Sequence, residues 1–106
     1  MELEKRIDKL ILALMANYKK FSTSSNSPQI RFECRPGKVY IRIMMLYVES
    51  GTGSVHAFVH KENGSLLKPA SLKQPAKGER YWLLDEQSFQ QCLQNADWAG
   101  SYLYKR

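Results

Sequence analysis

The chain predicts an α+β fold: an N-terminal helix, an antiparallel sheet of three to five strands, and a C-terminal helix. Three observations carry that expectation. The apolar period is helical over residues 2 to 20, changes to two at Gln29, and becomes helical again after Asp85. Turn signals at Pro36-Gly37, Gly51-Thr52-Gly53 and Asn63-Gly64 cut the middle of the chain at hairpin intervals. At 106 residues the chain suits one domain. That domain is expected to span 1–106, with an internal linker at 22–28, a basic loop at 69–80 and a tail at 101–106 free to fray.

The first helix rests on Leu3, Ile7, Leu10, Ile11, Leu14 and Tyr18, which recur at steps of three and four. Glu4, Lys5, Asp8 and Lys9 fall largely on the other side. Neither Gly nor Pro interrupts it. The run Ser22 to Pro28 has no apolar side chain and ends the helix in a linker. Ile30, Phe32 and Cys34 then alternate with Arg31, Glu33 and Arg35, as in a strand with one wet face.

Pro36-Gly37 supplies a turn into a second strand, Val39 to Val48, which is apolar on both sides from Ile43 onward and is therefore expected in a central position. Gly51-Thr52-Gly53 breaks it, and Val55 to Lys61 makes a third strand. Asn63-Gly64 turns the chain into a short fourth strand, Ser65 to Lys68. After the loop, Tyr81-Trp82-Leu83-Leu84 is expected to return as an edge strand. Asp85 is a good N-cap for a helix whose Phe89, Cys92, Leu93 and Ala96 share a face. Gly100 is read as its stop signal. Helices of this kind would cover one face of the sheet and leave the other for a partner.

Composition narrows the function. Apolar types make up 43% and charged types 25%, an ordinary globular balance. No apolar run approaches the roughly eighteen residues of a membrane span, and Met1-Glu2-Leu3-Glu4 does not open a secretory signal. A multidomain enzyme, a membrane protein and a secreted disulfide scaffold are thereby set aside, and a cytoplasmic site is expected. Cys34 and Cys92 lie outside any C-x-x-C spacing and read as small buried hydrophobes with free thiols rather than a disulfide or ligand pair.

Candidate chemistry is sparse. His56-Ala57-Phe58-Val59-His60 has the H-x-x-x-H spacing of a metal pair on a helix. In a strand, however, four residues span roughly 13 Å, too far for one ion. The two histidines are therefore expected on one sheet face with Phe58 between them. G-x-S-x-G is absent, and Gly51-Thr52-Gly53-Ser54 lacks the continuation of a phosphate-binding loop. No enzyme signal survives, and neither cofactor nor metal is expected. Trp82 and Trp98 read as core or edge anchors.

Positive charge says more. Sixteen Lys and Arg against ten Asp and Glu leave +6, and the excess is densest where Lys68, Lys73, Lys77 and Arg80 face Glu79 alone. A basic loop of this kind can neutralise several phosphates. Arg31, Arg35, Tyr40 and Arg42 fall on the wet sides of the first hairpin, and cations interleaved with an aromatic suit single-stranded nucleic acid. These eight residues are the expected binding set. The alternative is a basic face that meets, and inhibits, an acidic protein. The Pro69-to-Pro75 loop has a second reading, in which small residues let it lie along the body with Leu72 as its anchor. A homodimer through Tyr81 to Leu84 or through the N-terminal stripe is a further expectation.

Ser54-Val55-His56-Ala57-Phe58-Val59-His60-Lys61, followed by Lys68-Pro69-Ala70-Ser71, Pro75-Ala76-Lys77 and Arg80, resembles a family of small bacteriophage proteins without an established activity. Leu72 departs from it, since related sequences often carry tryptophan there. The resemblance implies a phage or prophage setting and action in the cytoplasm of an infected or lysogenic bacterium. By analogy it also implies a nucleic-acid or host-protein partner. The helix, strands, helix order also resembles a double-stranded-RNA-binding domain. There, however, lysines open the last helix, whereas here Asp85-Glu86 does.

Overall fold

Short connections between the first four strands leave the chain only antiparallel returns. The computed structural model, which describes residues 2–22 and 26–104, is built that way. Helix α1 (Glu2–Phe21) precedes β1 (Ile30–Pro36), β2 (Tyr40–Tyr47), β3 (Gly53–His60), β4 (Ser65–Leu67) and β5 (Tyr81–Trp82). Helix α2 (Glu86–Asn95) and a 3-10 turn at Ser101–Leu103 complete the order. The strands lie in sequence order across one sheet, and each neighbouring pair is antiparallel. The expected α+β class holds, with β2 interior to the sheet and β5 at its edge. The middle of the expected linker (23–25) and the last two residues of the tail (105–106) lie outside the described residues.

The apolar stripe of α1 is buried through Leu3, Ile7, Leu10, Leu14 and Tyr18. It forms one core with Ile43, Ala57, Val59 and Leu66 of the sheet and with Phe89, Cys92 and Ala96 of α2. Both helices thus cover the same sheet face. The stripe proposed as a dimer surface is consumed inside the chain. Fully burying a side chain such as Leu10 or Leu14 contributes about 2 kcal/mol each. Asp85 caps α2 as expected, its carboxylate accepting from Ser88 N–H at 2.9 Å. The hydroxyl of Ser88 in turn accepts from Trp82 N–H at 2.8 Å, which ties the edge strand to the helix.

Two sequence expectations change. Gly51, at φ +72°, makes the turn, but Gly53 belongs to β3 rather than to the break. A Cβ on Gly53 would lie 1.8 Å from Met45 O, so only glycine lets the strands approach there. Gly100, at φ +88°, does not stop α2, which ends at Asn95. It opens the 3-10 turn instead, and Leu103 is buried there at 1% exposure, so residues 101–103 are docked and not frayed. Asp97 organises this turn by accepting from the backbone N–H groups of Ala99, Ser101 and Tyr102 and from the Ser101 hydroxyl.

The histidines are also separated. Ile43 pairs with Ala57 but Met44 pairs with Val55, so His56 is an extra residue in β3. A bulge of this kind turns two consecutive side chains to one side. Ala57 enters the core, and His56 packs edge-on against Phe32 and shares a 2.8 Å hydrogen bond with Tyr102 Oη. His60 pairs with Tyr40 on the opposite face. The expectation that both histidines share a face with Phe58 between them fails because the bulge shifts the parity of β3. Trp98 packs against Tyr18 and Phe21 as an anchor, whereas Trp82 is exposed at 42%.

Burial lowers the pKa of His56 from 6.5 to about 4, with Asp97 opposing weakly. Between those values the unfolded chain binds a proton that the folded chain does not. The stability that neutral His56 contributes is therefore complete above pH 6.5 and is lost as the pH falls toward 4. The expected loss is about 3 kcal/mol. Urea denaturation across that range should show His56→Gln with a correspondingly flatter pH dependence than the parent.

Candidate nucleic-acid interface on the helix-free sheet face

Because side chains alternate across a strand, burying Phe32, Cys34, Ile41 and Ile43 toward the helices sends Arg31, Glu33, Arg35, Tyr40 and Arg42 to the other side. The unbroken register between β1 and β2 sets Arg35 directly opposite Arg42. Two like charges in that position repel. Each is partly satisfied by a neighbour. Arg35 Nε donates to Glu33 at 2.8 Å, and Arg42 Nη1 donates to the carbonyl of Leu72 at 3.2 Å. Arg31 reaches the other Glu33 oxygen at 3.4 Å. One carboxylate thus stands between two guanidiniums, and Arg42 has no acid of its own in this group.

Tyr40 lies beside these cations. It pairs across the sheet with His60 and meets the rings of His60 and Phe58 edge-on, with centroids 5.4 and 5.8 Å away. A concavity of about 340 Å³ opens here, lined by Lys38, Tyr40, Arg42, Phe58 and Lys73. Beneath the polar groups this face has an apolar floor, since Met44, Phe58 and Leu67 are all buried.

The basic loop is closed by its own backbone. Pro69 and Pro75 bridge, Ala70 and Ser71 N–H donate to Gln74 O, and Ala76 N–H donates to Lys68 O. Ser71 Oγ accepts from the N–H groups of Lys73 and Gln74. Leu72 does not anchor the loop as expected, because its side chain is 58% exposed and only its carbonyl is held, by Arg42. The hairpin tip instead delivers Lys73 to the concavity.

The eight expected residues therefore divide. Arg31, Arg35, Tyr40 and Arg42 share the helix-free face, and Lys73 joins them from the loop. Lys68 does not: its ammonium sits 4.7 Å over the ring of Tyr104, at the tail. Lys77 is exposed beyond the bridge and lines none of this concavity. Arg80 is half-buried and serves as a clamp. Its Nε donates to Leu103 O at 2.6 Å, its Nη1 donates to Lys77 O at 2.9 Å and to Gly78 O, and its backbone N–H extends the sheet to Leu66 O. A loop that must hold the 3-10 turn has used this guanidinium for folding. Sequence reasoning missed Lys38 and His60. The hairpin position of Lys38, two residues before Tyr40, was the available signal.

Among the described residues no cluster of His, Cys, Asp and Glu is arranged to hold a metal ion. Burial raises the thiol pKa of Cys92 to about 12 and also raises that of Cys34, where Asp8, Glu33 and Glu4 add to the effect. No helix of the described residues is long and apolar enough to cross a membrane. What fold and site define is a small α+β chain with one sheet face under two helices and the other face basic. It belongs to DUF7717, a family of unknown function, whose profile matches residues 1–105. Neither a curated protein nor a solved structure matches the chain.

The clamp yields a test. Arg80→Ala should cost about 2 kcal/mol in urea denaturation, the scale of hydrogen bonds to a charged group. It should also speed proteolysis near residues 101–104. Arg80→Lys should rescue little, since one ammonium cannot reproduce a planar fork reaching three carbonyls.

Proposed function

We propose that this protein binds nucleic acid with little sequence preference, as a binding protein rather than an enzyme, through the helix-free face of its sheet. Arg31, Arg35, Arg42 and Lys73 hold phosphates, and a base stacks at Tyr40. The observation that carries the reading is the Arg35–Arg42 cross-strand pair beside Tyr40 and Lys73. Two opposed guanidiniums repel each other, and a phosphate placed between them turns the repulsion into charge-assisted bidentate bonding. A shallow face with cations around an aromatic favours a single strand, whose bases are free to stack. The resemblance of the Ser54-to-Arg80 motif to phage proteins supports a setting in the cytoplasm of an infected or lysogenic bacterium for this activity.

Fluorescence anisotropy with labelled single- and double-stranded DNA and RNA, from low to physiological salt, tests the reading. Single strands should bind more tightly than duplexes, with affinity falling as salt rises. The combined Arg35→Gln, Arg42→Gln and Lys73→Gln variant should lower the logarithmic salt slope by about two, at roughly 0.7 per phosphate contact. Lys77→Gln should leave it nearly unchanged. No binding to any strand form at low salt would overturn the reading and turn attention to an acidic protein partner.

A further inference from the structure

We infer that the chain forms a symmetric dimer by joining its β1 edge to the β1 edge of a second copy. β1 ends the sheet, with β2 on one side and, among the described residues, no further strand on the other. All seven of its residues pair with β2 in unbroken register. It therefore lacks the bulges by which an edge avoids a second strand, it contains no lysine, and its one proline is the terminal Pro36.

Backbone direction decides which groups are left for a partner. Gln29 C=O accepts from Val48 N–H at 2.9 Å, and Gly37 N–H donates to Tyr40 O at 2.8 Å. The odd-numbered residues of this segment thus address β2. Ile30, Phe32 and Cys34 turn both their N–H and C=O outward, and Pro36 turns a C=O alone. A two-fold axis at Phe32 sets Phe32 opposite its own counterpart and Ile30 opposite the partner's Cys34. Every outward N–H and C=O of these three residues is then paired. An axis at Cys34 would set Pro36 against Phe32 and leave donors missing.

Charge selects the same register. With the axis at Phe32, Arg31 faces the partner's Glu33, and Glu33 faces the partner's Arg31. With the axis at Glu33, that carboxylate would face its own copy and Arg31 would face Arg35. In the monomer Glu33 is held by Arg31 and Arg35 of its own strand, and the dimer brings it another guanidinium from across the axis.

Helix α1 lies on the same side of both copies. Asp8, Leu12 and Met15 follow one another at steps of four and three and so form one strip. Asp8 lines a cleft of about 430 Å³ together with Cys34, Pro36, Ile41 and Lys61, where α1 crosses the end of β1 and β2. Leu12, across α1 from the buried stripe, is 69% exposed. The two-fold axis sets both α1 helices on the same side of the joined sheet, antiparallel to each other. The dimer does not rest on nucleic-acid binding, although it would make one ten-stranded sheet with both basic faces on the same side.

Sedimentation equilibrium of the full chain without nucleic acid, from low micromolar to near-millimolar concentration, tests the pairing. The parent chain should dimerise. Arg31→Glu and Glu33→Arg should each raise the dimer dissociation constant at least about tenfold, by setting like charges across the axis. The double swap Arg31→Glu/Glu33→Arg should recover most of the loss, a result that misfolded single variants could not produce. A parent chain monomeric throughout, a dimer indifferent to both single swaps, or a double variant weaker than either single one would each overturn the inference. Indifference would move any dimer to another surface, such as the β5 edge.

Discussion

Both helices bury their apolar stripes on the same face of the sheet, and the rest of the structure depends on that choice. The α1 residues Leu10 and Leu14 and the α2 residues Phe89 and Cys92 converge on Ile43, Ala57, Val59 and Leu66. No helix of the described residues covers the other face. Its residues must tolerate water, as Arg31, Arg35 and Arg42 do, or be shielded at their base, as Phe58 and Met44 are. The basic face is therefore a consequence of one-sided packing rather than of an unusual local composition. The loop from Pro69 to Ala76 is closed by its own hydrogen bonds and meets this face through Arg42, without replacing a helix there.

The bulge at His56 is where the sheet adjusts to this arrangement. An unbroken β3 would have sent His56 outward with Phe58 and His60. The extra residue turns it inward, where burial keeps it neutral and Tyr102 completes its hydrogen bonding. The 3-10 turn that carries Tyr102 is held from a second direction by Arg80, through Leu103 O. The segment from Ser54 to Arg80 thus has clear folding duties. His56 joins the sheet to the C-terminal turn, Phe58 floors the helix-free face, Pro69 and Pro75 bridge the loop, and Arg80 clamps the tail.

Elements set by local chemistry were legible in the sequence. The α1 stripe, the alternation of β1, the Asn63-Gly64 turn and the Asp85 cap all depend on residues within a few positions of one another, and all stand within a residue or two of where they were read. Parity that depends on a second strand was not legible. Nothing in Val55-His56-Ala57 announces a bulge, because the register mismatch is decided across the sheet against Ile43 and Met44. The site divides in the same way. Arg31, Arg35, Tyr40 and Arg42 were assigned to one face because strand alternation is local. Lys68, Lys77 and Arg80 were grouped with them by proximity in sequence, and the fold separates them: Tyr104 takes the Lys68 ammonium, the carbonyls of Leu103, Lys77 and Gly78 take Arg80, and Lys77 lies outside the concavity. Gly100 misled in a related way, since a left-handed glycine opens a 3-10 turn as readily as it closes a helix.

The proposed working surface is the helix-free sheet face and not the dense basic segment from Lys68 to Arg80 as a whole. Amide chemical-shift mapping of the labelled protein, titrated with a short single-stranded oligonucleotide at physiological salt, tests it most directly. The account predicts shifts concentrated at residues 31–35, 38–42, His60 and the Lys73 tip, with the outer surfaces of α1 and α2 unmoved. Shifts gathered instead on the helices, or on Lys68, Lys77 and the C-terminal turn, would contradict it.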